Sequence, residues 1–215
     1  MTASGTQERI LDAAECLFAE HGFGDVSVRQ VVHTAGVNVA SIHYHFGSKE
    51  ALVEAVMSRR LKPLNDERLR LLDEYESRDE GEVALEDVLY ALIAPAVKLS
   101  RSRKGGKSFV RLVGRLFAEP SNTVLERLKD RFEVVFIRFH RAFKRTLPAI
   151  RKRDYFWRIH FILGAMSLTL CDRERPAAWS EGSCDPDDLD EVIQQLVAFC
   201  AAGLRSPVPR KKRKR

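Results

Sequence analysis

Residues 36–52 read GVNVASIHYHFGSKEAL, and the eight residues between Asn38 and Gly47 constrain the fold more than any other part of this chain. A helix of that length rises roughly 12 Å and does not hold in water by itself. It needs neighbours to pack against, and the preceding sequence supplies two. Ile10, Leu11, Ala14, Leu17 and Phe18 recur with helical spacing, so a first helix is expected from Thr6 to His21. Gly22 then closes it in the left-handed conformation, with Phe23 folding back on the last turn. Ser27 is a good N-cap for a second helix with Val28, Val31, Val32 and Ala35 as its buried stripe, and Gly36 ends it. Asn38 caps the third, Gly47 breaks it, and Ser48 caps a long fourth helix starting at Lys49.

On the third helix, Val39, Ile42 and Phe46 share one side and are expected to face the first two helices. Ala40, Ser41, His43 and Tyr44 then point outward. Two helices, a glycine-containing turn and a short helix with an exposed polar face describe a helix-turn-helix, and 12 Å is about the width of a B-DNA major groove. Ala40 allows close approach, Ser41 can hydrogen-bond a base edge, and Tyr44 offers a hydroxyl to phosphate. His43 and His45 can donate to phosphate or guanine. Ser27 and Lys49 sit at helix N-termini, which attract anions, and Arg29 lies one turn into the second helix. The two histidines diverge by about 200° around the helix, so a shared metal ion is not expected.

Charge complicates this reading. Residues 1–50 contain six acids (Glu8, Asp12, Glu15, Glu20, Asp25, Glu50) against Arg9, Arg29 and Lys49. A deficit of cations is poor for a surface meant to neutralise phosphates. Arg59, Arg60 and Lys62 of the fourth helix are candidates to make it up. The net charge of +6 comes from residues 210–215, all basic, in a tail (206–215) expected to be disordered. Elsewhere charge is blocked: ten acids against three arginines in 66–87, and eight cations against Asp154 in 138–158. Such blocks mark solvated faces or complementary partners.

Beyond residue 50 the chain continues as apolar helices, expected near 85–100, 106–118, 121–147, 152–171 and 186–204, with 173–185 a loop. Pro63 is expected to kink or break the fourth helix, and Pro95, Pro120, Pro148 and Pro186 punctuate the rest. The segment 156–170 is apolar on nearly all sides and should be central. The fold expected is therefore all-α: a helix-turn-helix domain (1–50) followed by a helical domain (51–205) for dimerisation and ligand binding. Phe109, Leu112, Leu116, Phe136, Phe139, Phe143, Phe156, Phe161 and Leu168 could line an apolar cavity, with Arg111, His140, Arg158 or His160 at its mouth. The last two long helices, carrying Gly164, Ala165, Ala201, Ala202 and Gly203, are candidates for a homodimer interface. No run of 18 apolar residues predicts a membrane span, and the start of the chain lacks a signal-peptide pattern, so a cytoplasmic location is expected. The four scattered cysteines read as reduced thiols.

GFGDVSVRQVVHTAGVNVASIHYHFGSKEAL resembles the N-terminal domain of the TetR/AcrR family of bacterial repressors. His43 departs from that pattern, in which tyrosine is usual, while Tyr44, His45 and Phe46 fit. The resemblance implies that Ser27, Arg29, Asn38, Ser41, His43, Tyr44 and Lys49 contact a palindromic operator, bound by a dimer. RILDAAECLFAEHGF and FWRIHFILGAMS are similar to the PsrA-like branch, which implies a long-chain fatty acid or acyl-CoA effector and control of lipid-metabolism genes. Neither GxSxG, a Walker loop, a dinucleotide fingerprint nor HExxH occurs, so no enzyme activity and no cofactor are expected. A helical lipid carrier, a regulator with a different apolar effector and an architectural DNA-binding protein stay open on residues alone.

Overall fold

The computed structural model describes residues 3–78, 83–102, 105–118 and 122–207, and every element among them is a helix. These are α1 (Ala3–His21), α2 (Val28–Ala35), α3 (Val39–Phe46), α4 (Lys49–Arg78), α5 (Leu85–Ser100), α6 (Gly106–Ala118), α7 (Asn122–Thr146), α8 (Lys152–Cys171), α9 (Arg175–Trp179) and α10 (Leu189–Arg205). Pro120 and residues 208–215, which include the basic tail expected from the sequence, lie outside the described residues. The chain divides into two compact units, Met1–Glu67 with Lys98–Phe136, and Arg68–Val97 with Ile137–Arg215.

In the first unit the stripe of α1 is inside: Ile10, Ala14 and Phe18 are fully buried, and the Phe23 ring returns to 5.8 Å from that of Phe18. Gly22 N–H donates to the Phe18 carbonyl at 3.0 Å, closing α1. Against this core pack α2, α3 and α6. Arg115 of α6 donates to the Glu20 carbonyl at the end of α1, at 2.8 Å.

A cluster of charge holds α4 to α1. The buried carboxylate of Glu15 accepts from Arg60 Nε at 3.0 Å and Nη2 at 2.7 Å. Arg59 reaches Asp12 at 2.6 Å, Glu8 at 3.0 Å and Glu15 at 3.6 Å. Burial works against the Arg59 charge, but the hydrogen bond and charge of Asp12, then Glu8 and Glu15, outweigh it and hold the guanidinium above its ordinary range. A side chain at Gly105, just before α6, would collide with the Arg60 guanidinium. Arg59, Arg60 and Lys62 are therefore not the reserve of DNA-facing charge the sequence suggested: the first two bind α1, and Lys62 lies 3.4 Å from Asp66.

In the second unit the charge blocks find each other. Arg138 of α7 donates to Asp73 and, at 3.1 Å, to Glu76 of α4, and Arg145 donates to Glu76. The acidic stretch and the basic stretch are complementary partners within one chain. Arg205 holds Glu86 at 2.9 Å, and that hydrogen bond keeps the Glu86 carboxyl below its usual value against the opposing effect of burial. Arg158 donates to the Leu204 and Ser206 carbonyls at 2.5 and 2.6 Å, closing the end of α10.

Four expectations are corrected. Pro63 neither breaks nor ends α4, which runs on to Arg78 with Leu61 and Leu64 buried on either side of it. Packing outweighs the loss of one N–H donor. The stretch 173–185 contains the short helix α9, with Pro176 in its first turn, where a missing N–H does no harm. The last long helix begins at Leu189, because the Asp188 carboxylate accepts from Glu191 N–H at 3.0 Å and caps it there. The segment 156–170 is not central: Ile162, Met166 and Leu170 are buried, while Phe161 and Leu168 are 62% and 57% exposed. Helix α8 packs on α10 along one side, and its other side is left exposed among the described residues.

Replacing Glu15 by Gln keeps the shape of the side chain but removes the charge that both arginines face. The variant is expected to unfold with a stability loss of about 1–3 kcal/mol in urea titration. An unchanged midpoint would show that the cluster does not hold α4 to α1.

Candidate nucleic-acid interface

The geometry of α2 and α3 is set by residues that are local in sequence. Ser27 Oγ accepts from Gln30 N–H at 3.3 Å, and the Gln30 side-chain oxygen accepts from Ser27 N–H at 2.7 Å. This reciprocal cap satisfies two of the free donors at the start of α2. Gln30 was missed by sequence reasoning, although the Ser-x-x-Gln spacing signals it. Gly36 closes α2 at φ 62°, a conformation that a side chain would strain. Asn38 Oδ1 accepts from Ala40 N–H at 3.0 Å, so the cap of α3 arrives three residues after the end of α2.

Helix α3 is anchored through a single fully buried residue. Ile42 has no exposure, whereas Phe46 is half-buried. Val39, expected on the inner side, is 40% exposed. It is the first residue of the helix, directly after the Asn38 cap. Outward lie Ala40, His43 and Tyr44, the last 82% exposed, with Ser41 and His45 half-buried at the edges of this face. The Tyr44 and His45 rings meet edge to face at 5.0 Å. Ser27, Arg29 and Asn38 are exposed, and Lys49 is partly so.

Lys49 and His43 are tied to backbone carbonyls. Lys49 Nζ donates to the Gly24 carbonyl at 3.0 Å, tying the start of α4 to the loop after α1. His43 Nδ1 lies 3.2 Å from the Gly47 carbonyl oxygen, across the end of its own helix. The first unit thus brings together every residue expected to meet DNA, on α2, α3 and the start of α4.

The residues expected to line a ligand cavity are divided between the units. Phe109 and Leu112 are buried in the first unit, with Leu116 half-buried and Phe136 48% exposed. In the second unit Phe139 and Phe143 are buried, His140 is half-buried, and Phe156 is 41% exposed. The His140 ring stacks on Phe156 at 6.2 Å and meets Tyr155 edge-on at 5.0 Å. Tyr155 was not singled out from the sequence; desolvation pushes its hydroxyl up to about 12. His160 and Phe161 are exposed and group with Trp157, at 6.1 and 5.8 Å. Trp157 and Phe161, but not His160, border with Phe199 of α10 a groove of about 420 Å³ that also contains Arg153, Cys200 and Gly203. No group of His, Cys, Asp and Glu among the described residues is arranged to hold a metal ion. No helix among the described residues is long and apolar enough to cross a membrane.

Comparison with known proteins places these two halves in one family. Residues 90–203 match the tetracyclin repressor-like C-terminal domain, and residues 10–56 match the bacterial regulatory proteins of the tetR family. Over 54 residues the chain is 39% identical to the HTH-type transcriptional repressor KstR2 of Rhodococcus jostii (strain RHA1), which is 25% of this chain and 26% of that protein. Over 55 residues it is 36% identical to the HTH-type transcriptional regulator UidR of Escherichia coli (strain K12), 26% of this chain and 28% of that one. These matches span about a quarter of the curated relatives. Among solved structures, the fatty acid degradation regulator FadR from Bacillus halodurans has a TM-score of 0.58 at 17% identity, covering 88% of this chain and 97% of that one. Salmonella enterica GusR has a TM-score of 0.58 at 20% identity, covering 94% and 96%. At such identities the likeness is one of fold.

The geometry separates residues that hold α3 from residues that it presents. Ile42→Ala is expected to destabilise the protein by about 2–5 kcal/mol. Tyr44→Ala should stay within about 0.5 kcal/mol of the parent. Denaturant titration of both variants checks this; equal losses would mean that Tyr44 is part of the packing.

Proposed function

The chain belongs to the tetR family of bacterial regulatory proteins, and from that premise we propose that it is a dimeric repressor that reads a palindromic operator through α3. One observation carries the proposal. An eight-residue helix is capped by Asn38, anchored by Ile42, and presents Ala40, Ser41, His43 and Tyr44 to solvent. Each of these side chains is exposed or half-buried, and the sizes of Ala40, Ser41 and Tyr44 suit a major groove, with His43 toward its phosphate edge. Ser27, Arg29, Asn38, His45 and Lys49 flank them as contacts to the sugar-phosphate backbone. Ser27 and Asn38 act through the helix starts that they cap, where N–H groups face an anion.

A single such head covers few base pairs, so the proposal includes a second copy. Two heads held about 34–36 Å apart meet successive turns of the groove. The uncovered side of α8 and α10 supports this. Trp157, Phe161 and Phe199 are 57%, 62% and 69% exposed, and side chains at Gly164 and Gly203 would meet nothing within 4 Å. Large apolar side chains left in water beside flat, small-residue patches suit a helix pair from another copy. Phe161→Glu and Phe199→Glu are expected to convert a dimer to a monomer in sedimentation velocity and to weaken operator binding by at least about 100-fold. Retained dimerisation in the double variant would overturn this interface.

The effector proposed is a long-chain fatty acid or acyl-CoA, with lipid-metabolism genes as targets. The FWRIHFILGAMS resemblance and the fold shared with a fatty acid degradation regulator support it. The buried Phe139 and Phe143 of the second unit are the side chains proposed to receive it, with His140 and Phe156 beside them. An acyl chain suits apolar surroundings, each buried methylene contributing about 0.8 kcal/mol. Release requires that the effector prefer the conformation that does not bind DNA. A saturating long-chain acyl-CoA is expected to lower affinity for the selected operator by at least about tenfold in fluorescence anisotropy. Unchanged affinity would remove this effector and leave the DNA-binding proposal standing.

A further inference from the structure

The DNA-facing unit is short of fixed positive charge and rich in histidine. Residues 1–50 carry six acids and three cations, and Arg59 and Arg60 are committed to carboxylates of α1, while Lys49 donates to the Gly24 carbonyl and keeps its charge. Four of the six histidines of the chain, His21, His33, His43 and His45, lie in the same fifty residues. Imidazole is the side chain whose charge changes in the physiological range, so this surface can gain positive charge from protons.

His43 is the one whose geometry determines what it can do. A carbonyl oxygen only accepts, so the contact from Nδ1 to the Gly47 oxygen at 3.2 Å places the hydrogen on Nδ1. Neutral His43 then has a bare lone pair on Nε2, which has no partner among the described residues and belongs to an exposed ring. A phosphate oxygen also only accepts. The neutral ring therefore repels a phosphate at Nε2, and the protonated ring donates to it. The ring sits in the second half of α3, away from the N-terminal turn proposed to enter the groove.

We propose that His43 is a proton-dependent phosphate contact, so that each head takes up a proton at Nε2 on binding DNA and operator affinity rises as pH falls. This rests on the reading of α3 as the helix that meets the operator. The surrounding charges do not substitute for that proton. On α1, Glu8, Asp12 and Glu15 are paired with Arg59 and Arg60, Glu20 lies 3.9 Å from His21, and Arg9 is the only fixed cation. On α2 the charged or titratable groups are Arg29 and His33. Lys49 and Glu50 follow at the start of α4, and His45 shares α3. The sign is fixed by linkage: the bound state holds more protons, so affinity falls as pH rises.

The test uses the full chain and a duplex that it selects from a random pool at about pH 6. Anisotropy titrations at constant ionic strength should show wild-type affinity falling by at least about tenfold between pH 6 and pH 8. His43→Gln supplies an N–H donor without needing a proton. It should bind at pH 8 at least as tightly as the parent and vary by less than about threefold over the same range. The His21→Gln/His33→Gln variant should keep the full pH dependence. Calorimetry of the wild-type protein in two buffers of different ionisation enthalpy should count about one proton taken up per protomer, a reading that does not depend on any variant folding. A flat wild-type profile, a slope that survives His43→Gln or vanishes in the double variant, or no proton uptake would each overturn the proposal. Failure to select any duplex would instead overturn the DNA-binding reading beneath it.

Discussion

The burial of Ile42 is the contact on which the candidate interface depends. Helix α3 has eight residues, and its formation as an isolated peptide is unfavourable. Its shape comes from outside: an Asn38 cap at one end, a glycine at the other, and one side chain fully removed from water against α1 and α2. Burying that side chain contributes about 1.5–3 kcal/mol, comparable with what a short helix lacks. Because the anchor is so small, most of the surface of α3 is left for something outside the chain. The same economy makes it exacting, since Val39 and Phe46 add only partial burial.

Charge works in the opposite way, by long-range pairing. Helix α4 is held to α1 because a buried carboxylate, Glu15, faces two partly buried guanidinium groups. In the second unit, Arg138 and Arg145 meet Asp73 and Glu76. The pairing that builds each unit leaves the proposed DNA-facing surface with few fixed cations, and the phosphate contacts proposed for it are accordingly helix N-termini and imidazoles. The proposed roles of α2 and α3 follow from what the scaffold leaves unpaired.

Much of the first unit was legible in the sequence. The ends of α2 and α3, the outward face of α3 and the identity of Ile42 as an inner residue all follow from spacing and caps. What was misread has a common cause. Pro63 signals a break by its local chemistry, yet buried leucines on both sides keep α4 continuous. An apolar stretch signals burial, yet the sequence of α8 does not say whether its second side meets this chain or another. For the same reason, a list of aromatic residues suited to a pocket did not reveal that Phe161 faces solvent with Trp157, while Phe143 and Tyr155 lie inside.

The amino-acid sequence by itself determined the helical class, the punctuation of α1 to α4 and the chemistry that α3 displays. Those features depend on residues within about four positions of each other, through caps, left-handed glycines and helical periodicity. Only the tertiary structure decided which charges are consumed inside the chain, which apolar faces stay open, and that His43 gives its Nδ1 hydrogen to Gly47. Such choices turn on which surfaces meet across tens of residues, and a pairing at that distance is settled by packing in three dimensions, of which a linear pattern records only one side.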